Sequence, residues 1–433
     1  MMLTLFSSRV IGLSSLSKYN GPEEAARQRP ENSISSYRPG LTLELGWAHD
    51  NEDKSELCIH IMNPLPHSPL RCALIGFGNA GRNFHAPVMA AVPGLELTAI
   101  VSSQPAAVHA AWPGVPVLAT PTQAFADPAI ELVVIATPND SHHALARAAL
   151  LADKHVLVDK PCTVTLAETE DLLTLAQSQG RVLTVYQSRR FDADFLSLKQ
   201  VMEQGQLGRL VQFESRYDRF KPQVLDRWRD NDVPGAGLWL DLGSHLLDQC
   251  LVLLGVPDAL LLDVAAQRDG AQAHDCFHAQ LRYDSLQPGL RAVLHAGSLV
   301  PAGSPRFAVH GTQGSFIKHG MDAQEDALKA GIRPQQAAPT AWGLDPQPGE
   351  VITMEDGQRL SRPAPEARGC YPQLYAQLRD CLLARRGALP TDAASLPAPP
   401  VSAREVYQLM ALLSRGEQSM REGRWVACAD LRA

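Results

Sequence analysis

Between residues 70 and 186, short and largely apolar runs alternate with longer segments of helical character. The runs are Cys72 to Ile75, Leu95 to Val101, Glu131 to Thr137, His155 to Val158 and Val182 to Tyr186. Continuous rather than alternating hydrophobicity is what a strand covered on both faces requires. The intervening stretches His142 to Leu151, rich in Ala and Leu, and Leu166 to Gln179, striped by Leu172, Leu173 and Leu175, read as helices. Residues 69–188 are therefore expected to form a doubly wound α/β domain with a parallel sheet.

Beyond residue 188 the period changes. A helix is expected over Arg190 to Glu203. Strands follow at Leu210 to Tyr217, Ala259 to Gln267, Phe277 to Tyr283, Arg291 to Gly297 and Phe307 to His310, several with one polar face. Such a set suits a large, mainly antiparallel open sheet with helices on one side, an α+β domain over 189–433. Helices return at Tyr371 to Leu383 and after the capping-box pattern Ser402-Ala403-Arg404-Glu405, ahead of Val406, Leu409, Met410 and Leu413. The Pro- and Ala-rich stretch from Leu389 to Val401 reads as an exposed linker. Residues 1–68 carry Ser, Pro, Asn and charge without sustained periodicity, and read as a disordered or mis-started extension, with Met62 an alternative start.

Composition narrows the class. The 433 residues suffice for two domains and an extra segment, 20% are charged, and the formal net charge is -7. That balance gives no reason to expect nucleic acid or an anionic membrane as partner, and no apolar run approaches a membrane span. The eight cysteines form no Cys-x-x-Cys pair and no zinc-like spacing with His, so reduced thiols in a cytoplasmic protein, with no metal, are expected.

The first run ends in Gly76-Phe77-Gly78-Asn79-Ala80-Gly81. In a strand–turn–helix context, the first glycine makes the turn, the second lets backbone approach a pyrophosphate, and the third lets helix pack on strand; the helix N-terminus attracts the anion. A nicotinamide dinucleotide on a Rossmann domain is the expected ligand. An acidic residue about 20 positions further on normally binds the ribose hydroxyls and repels a phosphate. Here Ser102, Ser103 and Gln104 stand there, so NADP is favoured over NAD, and Arg82 offers additional positive charge.

Three further stretches complete the pattern: Thr137-Pro138-Asn139-Asp140-Ser141-His142 after one strand, Asp159-Lys160-Pro161 after the next, and Gly235-Ala236-Gly237-Leu238-Trp239-Leu240-Asp241-Leu242-Gly243-Ser244-His245-Leu246-Leu247-Asp248 beyond the nucleotide domain. In this order the chain resembles the Gfo/Idh/MocA family of NAD(P)-dependent oxidoreductases, which act mainly on sugars, cyclitols and their derivatives. The family usually has Glu-Lys-Pro where this chain has Asp159-Lys160-Pro161, a change that keeps the carboxylate. The resemblance implies that Gly76 to Gly81, Ser102, Ser103, Thr137, Pro138, Asn139, His142, Asp159 and Lys160 contact the cofactor. It places Lys160 between nicotinamide and substrate and puts Asp241 in the catalytic hydrogen-bond network. It also implies a homodimer or homotetramer through the C-terminal sheet.

The chemistry fits these residue types. Removing hydride from a secondary alcohol requires a base for the hydroxyl proton and a donor that polarises the oxygen. His245 suits the base, with an ordinary pKa of about 6.5, and Lys160 suits the donor. Asp241 lies four residues before His245, on the same face of a helix. Polar groups gather at the domain junction in Gln187-Ser188-Arg189-Arg190-Phe191-Asp192 and at Arg216, Arg219, Lys221 and Trp228. They suit a polyhydroxylated substrate, with Arg190 among its ligands. With Met321 to Asp326 and Trp342-Gly343, the resemblance is nearest to the NADP-dependent scyllo-inositol dehydrogenase branch. Two other readings stay open: a sugar-responsive regulator that binds cofactor without turnover, and a redox-neutral glycoside-processing enzyme.

Overall fold

The computed structural model describes residues 68–337, 341–388 and 396–432. The expected N-terminal extension up to residue 67 and the first part of the Pro/Ala-rich linker lie outside the described residues. Two sheets dominate. The first takes strands β1 (Leu70–Ile75), β2 (Leu95–Val101), β3 (Val117–Leu118), β4 (Leu132–Ile135), β5 (His155–Val158) and β6 (Leu183–Val185) in the order β3-β2-β1-β4-β5-β6, all parallel. This is the nucleotide-binding order, in which the order of strand addition reverses between β1 and β4 and opens a crevice at their carboxyl ends.

Its strands are mostly apolar because both faces are covered, with the exposed Arg71 and Glu96 near the starts of β1 and β2. Along β1, Ala73 and Ile75 join one core while Leu70, Cys72 and Leu74 join another; Val156 and Val158 of β5 likewise face away from Leu157. The first core takes in the helices His142–Leu151, Leu166–Ser178 and Ala403–Glu422. The second is closed by the helix that follows the glycines and by Tyr371–Arg385, whose Leu374, Tyr375, Leu378, Cys381 and Leu382 pack under β1. A segment from late in the chain thus completes the nucleotide-binding half.

The second sheet has nine strands: β7 (Leu210–Arg216), β8 (Ala259–Ala265), β9 (Cys276–Arg282), β10 (Arg291–Gly297), β11 (Phe307–Gly311), β12 (Gly314–Lys318), β13 (Glu350–Glu355), β14 (Gln358–Pro363) and β15 (Val426–Ala427). Their order is β14-β13-β12-β11-β7-β10-β9-β8-β15, antiparallel except for β10 beside β7. Phe213, Phe277, Leu294 and Val309 point to the helices Ser244–Leu254 and Ala403–Glu422. The opposite face carries Gln212, Glu214, His278 and Gln280, and this alternation explains the mixed polarity of these strands.

One packing knot fixes the site. Trp239, fully buried, donates its indole N–H to Leu413 O at 3.0 Å. Its ring lies so close to Gly243 and Gly416 that a Cβ at either would approach it to 2.6 or 2.3 Å. Trp239–Gly243 is wound as a π turn that leads into the helix Ser244–Leu254, a local widening often found at functional sites.

Candidate active site

The glycine loop divides its labour. Gly76 has φ +98°, and a Cβ there would sit 2.6 Å from Ala136 O; a Cβ on Gly81 would sit 2.1 Å from Gly76 O. Gly78 has nothing within 4 Å of where its Cβ would be. The two outer glycines therefore satisfy the protein itself, and the middle one leaves open space against which a pyrophosphate fits. The following helix wraps a π turn, Gly81–His85, and places Asn79 and Ala80 on the main cavity. Phe77 is buried with the Arg82 guanidinium 5.4 Å from its ring centre. At the end of β2, Ser102 Oγ accepts from the Gln104 N–H at 3.0 Å and Ser103 is exposed.

The Thr137-to-His142 stretch works differently from a simple cofactor lining. Thr137 Oγ1 and Ser141 Oγ are 2.7 Å apart, beside Pro138, whose carbonyl accepts from Ser141 Oγ. The Asn139 amide donates to Gly235 O at 3.0 Å, and the buried His142 ring places Nδ1 2.9 Å from Pro161 O and Nε2 3.0 Å from Thr137 O. Asn139 and His142 thereby tie the loops after β4 and β5 to each other and to the Gly235 loop.

Asp159 follows β5; its Oδ1 accepts from the Lys160 N–H at 2.8 Å and lies 3.7 Å from His85 Nε2. Burial alone would raise this carboxyl, but the neighbouring His85 ring and then Lys160 bring it below its ordinary value. The Lys160–Pro161 peptide is cis. Lys160 Nζ donates to Asp241 Oδ1 at 2.8 Å and to Asp241 O at 2.6 Å. Burial pushes the Asp241 carboxyl upward, but Lys160, Arg229 and Arg219 outweigh it and hold it well below the carboxylate range. His245 sits one turn on, its ring 6.1 Å from that of Tyr217 and its Nδ1 without a hydrogen-bond partner. Burial, then the charges of Lys160 and Arg189, hold its pKa well below 6.5, so the imidazole is neutral at neutral pH.

These groups line a cavity of about 790 Å³ that runs from Asn79 and Ala80 to the second sheet. Arg216, Arg219 and Lys221 line it as well, as do Met321, Asp322, Glu325 and Asp326, whereas Trp228 borders a narrow side pocket with Asn139 and His142. Trp342 is buried and donates to Gln324 Oε1 at 3.0 Å, anchoring the helix behind this wall.

Arg190 requires a correction: it is not a cavity residue. Its guanidinium grips both Asp248 oxygens at 2.9 and 2.7 Å and donates to Glu405 Oε1 at 2.7 Å, so the capping-box glutamate and the helix Ser244–Leu254 consume its donors. The cavity arginine is its neighbour. Arg189 donates to Tyr371 Oη at 2.9 Å and pairs with Asp192 and Glu325. A short 3₁₀ turn, Ser188–Phe191, sends the two consecutive guanidinium groups in different directions. Arg306, Tyr217 and Tyr371 also line the site without having been singled out from sequence. Arg306 lies 4.4 Å from the Tyr217 ring centre and donates to Gln249 Oε1 at 2.5 Å; as an isolated arginine ahead of β11 it carries no local signal.

Comparison with known proteins places this arrangement. Residues 70–187 match the model of an oxidoreductase family with an NAD-binding Rossmann fold, GFO_IDH_MocA, and residues 199–428 match the C-terminal α/β domain of the same family. The chain is 46% identical over 353 residues to the uncharacterized oxidoreductase YdgJ of Escherichia coli, covering 81% of this chain and 96% of that one. It is 34% identical over 359 residues to the scyllo-inositol 2-dehydrogenase (NADP(+)) IolW of Bacillus subtilis, covering 82% and 95%. A solved oxidoreductase of Yersinia pestis superposes with a TM-score of 0.75 at 43% identity, over 83% of this chain and 97% of that one.

Proposed function

The chain belongs to the Gfo/Idh/MocA family of NAD(P)-dependent oxidoreductases, and from that premise we propose that it uses NADP and acts on a secondary alcohol, or the matching ketone, of a polyhydroxylated ring, a sugar or an inositol-like cyclitol. The observation that carries this reading is the meeting of Lys160, Asp241 and neutral His245 in one cavity that also reaches the glycine loop. The similarity to a scyllo-inositol 2-dehydrogenase supports the substrate class.

The residues for the cofactor fit it: open space at Gly78, a helix start at Asn79 and Ala80, and hydroxyls rather than a carboxylate at Ser102 and Ser103. Bound nicotinamide supplies the hydride donor or acceptor. The chain's own part is proton chemistry. Lys160, positioned by its ion pair with the Asp241 carboxylate, points a strong donor at the reacting oxygen and lowers its proton affinity. His245, neutral and lining the cavity, takes the hydroxyl proton in oxidation and returns it in reduction. Arg189, Arg219 and Lys221 offer donors to ring hydroxyls, which would otherwise be buried unpaired.

The test is reduction of NADP and NAD, followed at the nicotinamide absorbance band, across a panel of inositols and aldoses. Turnover on a cyclitol or aldose, faster with NADP, is expected. Cofactor binding with no reduction by any panel member would favour the regulatory or redox-neutral reading instead.

A further inference from the structure

On the outer face of the large sheet, strand register gathers three metal-ligating side chains, two of them far from the third in the sequence. Cys276 and His278 are two residues apart on β9 and so share one face of the sheet. His295 on β10 stands directly opposite His278 in the antiparallel pair, and its ring centre is 4.2 Å from that of His278. The ligand atoms of the three lie within 4.8 Å of one another, with Cys276 Sγ and His295 Nε2 3.8 Å apart. Tetrahedral zinc, with bonds of about 2.3 Å to sulfur and 2.0–2.1 Å to nitrogen, holds a sulfur and a nitrogen about 3.6 Å apart. The cluster is thus close to the spacing such an ion imposes.

The surroundings are organised for the same purpose. His295 Nδ1 lies 2.6 Å from Asp218 Oδ1. A carboxylate on one ring nitrogen fixes the tautomer and leaves the other nitrogen as a lone-pair donor, the arrangement that orients metal-bound histidines. The nitrogen left free is Nε2, the one facing Cys276. On the other side, Asp263 of β8 is in register with His278. Arg216, in register with His295 on β7, is paired to Glu214 at 3.2 Å. Cys276 and His295 are buried while His278 is exposed, so three protein ligands converge from a half-covered sheet face and a fourth position opens outward.

We propose that Cys276, His278 and His295 form a zinc-binding site on the outer face of the large sheet, with Asp218 orienting His295. Thiolate and imidazole together select a borderline-soft divalent ion over magnesium or calcium. The site differs from the expectation of a metal-free protein, and the oxidation–reduction chemistry above does not use it. It fastens β9 to β10, next to the strand that delivers Tyr217 and Arg219 to the cavity.

The full chain, freed of metal by chelation, is titrated with Co²⁺ and then with Zn²⁺. One equivalent of cobalt is expected, with tetrahedral ligand-field bands and a thiolate charge-transfer band that zinc displaces. Cys276→Ser removes the charge-transfer band. His278→Ala, an exposed position whose change leaves the fold intact, weakens binding tenfold or more, and Asp218→Asn weakens it 10–100-fold. Absence of stoichiometric cobalt binding to the wild type overturns the proposal. So does binding that is unchanged in both Cys276→Ser and His278→Ala; Cys276 then only hydrogen-bonds to His295.

Discussion

Lys160 Nζ is held at two points by one residue, Asp241, through its carboxylate Oδ1 at 2.8 Å and its main-chain carbonyl at 2.6 Å. The carbonyl bond survives substitution of the side chain, whereas the charge does not. Asp241→Asn therefore keeps the ammonium near its place but removes its ion-pair partner. A fall in kcat of about 10²–10³ is expected, within the range for general acid–base groups, with the NADP dissociation constant within about threefold of wild type, a bound set by Asp241 lying outside the glycine loop. Steady-state kinetics with cofactor-binding fluorescence separates the two.

The three glycines of the loop are expected to fail differently. Gly81→Ala drives a Cβ to 2.1 Å from Gly76 O, so thermal stability drops, by about 1–3 kcal/mol as for other overpacked sites. Gly78→Ala meets nothing in the protein and should melt as wild type does while binding NADP at least tenfold more weakly. Calorimetry and cofactor titration on both variants read this out, and equal stability losses would contradict it.

Cofactor choice is expected to rest on the end of β2. Ser103 is exposed there, and Ser103→Asp would place a carboxylate where a phosphate of NADP is repelled and ribose hydroxyls are accepted. The ratio of kcat/KM for NADP over NAD should fall by at least tenfold, a loss of about 1.4 kcal/mol in discrimination.

Acid should destabilise the nucleotide-binding half through His155. Its Nδ1 accepts from the Val182 N–H at 3.0 Å, fastening β5 beside β6. Burial, then Arg181 and Arg385, lower its pKa from 6.5 to about 4. The folded state thus binds fewer protons than the unfolded between these values, so stability is full above pH 6.5 and is lost as pH falls toward 4. The linkage amounts to at most about 3 kcal/mol. His155→Asn, which keeps an acceptor but does not titrate, should show a smaller fall in urea midpoint over that window.

Much of this was legible because the governing constraints are local. The doubly covered strands β1, β4 and β5 must be apolar on both faces, the glycines answer to backbone crowding, and Lys160, Asp241 and His245 stand in motif order. Arg190 was misread because neighbouring guanidinium groups diverge in a tight turn, and only the fold shows that Asp248 and Glu405 await one of them. Strands β12 to β14 were not read, although Asp356 and Gly357, with φ of 51° and 75°, are the pair a two-residue hairpin demands. The Cys276, His278 and His295 cluster depends on the register of β9 against β10, which no spacing of cysteine and histidine along the chain reveals.

The most direct measurement is NADP reduction by a turned-over cyclitol or sugar, compared between wild type and Lys160→Met, with NADP binding recorded for both. A loss of at least 10³-fold in kcat with cofactor binding retained is the expected result, since the methionine fills the space but offers no donor. Turnover within tenfold of wild type would show that Lys160 does not carry the proton chemistry and would contradict the assignment of the site.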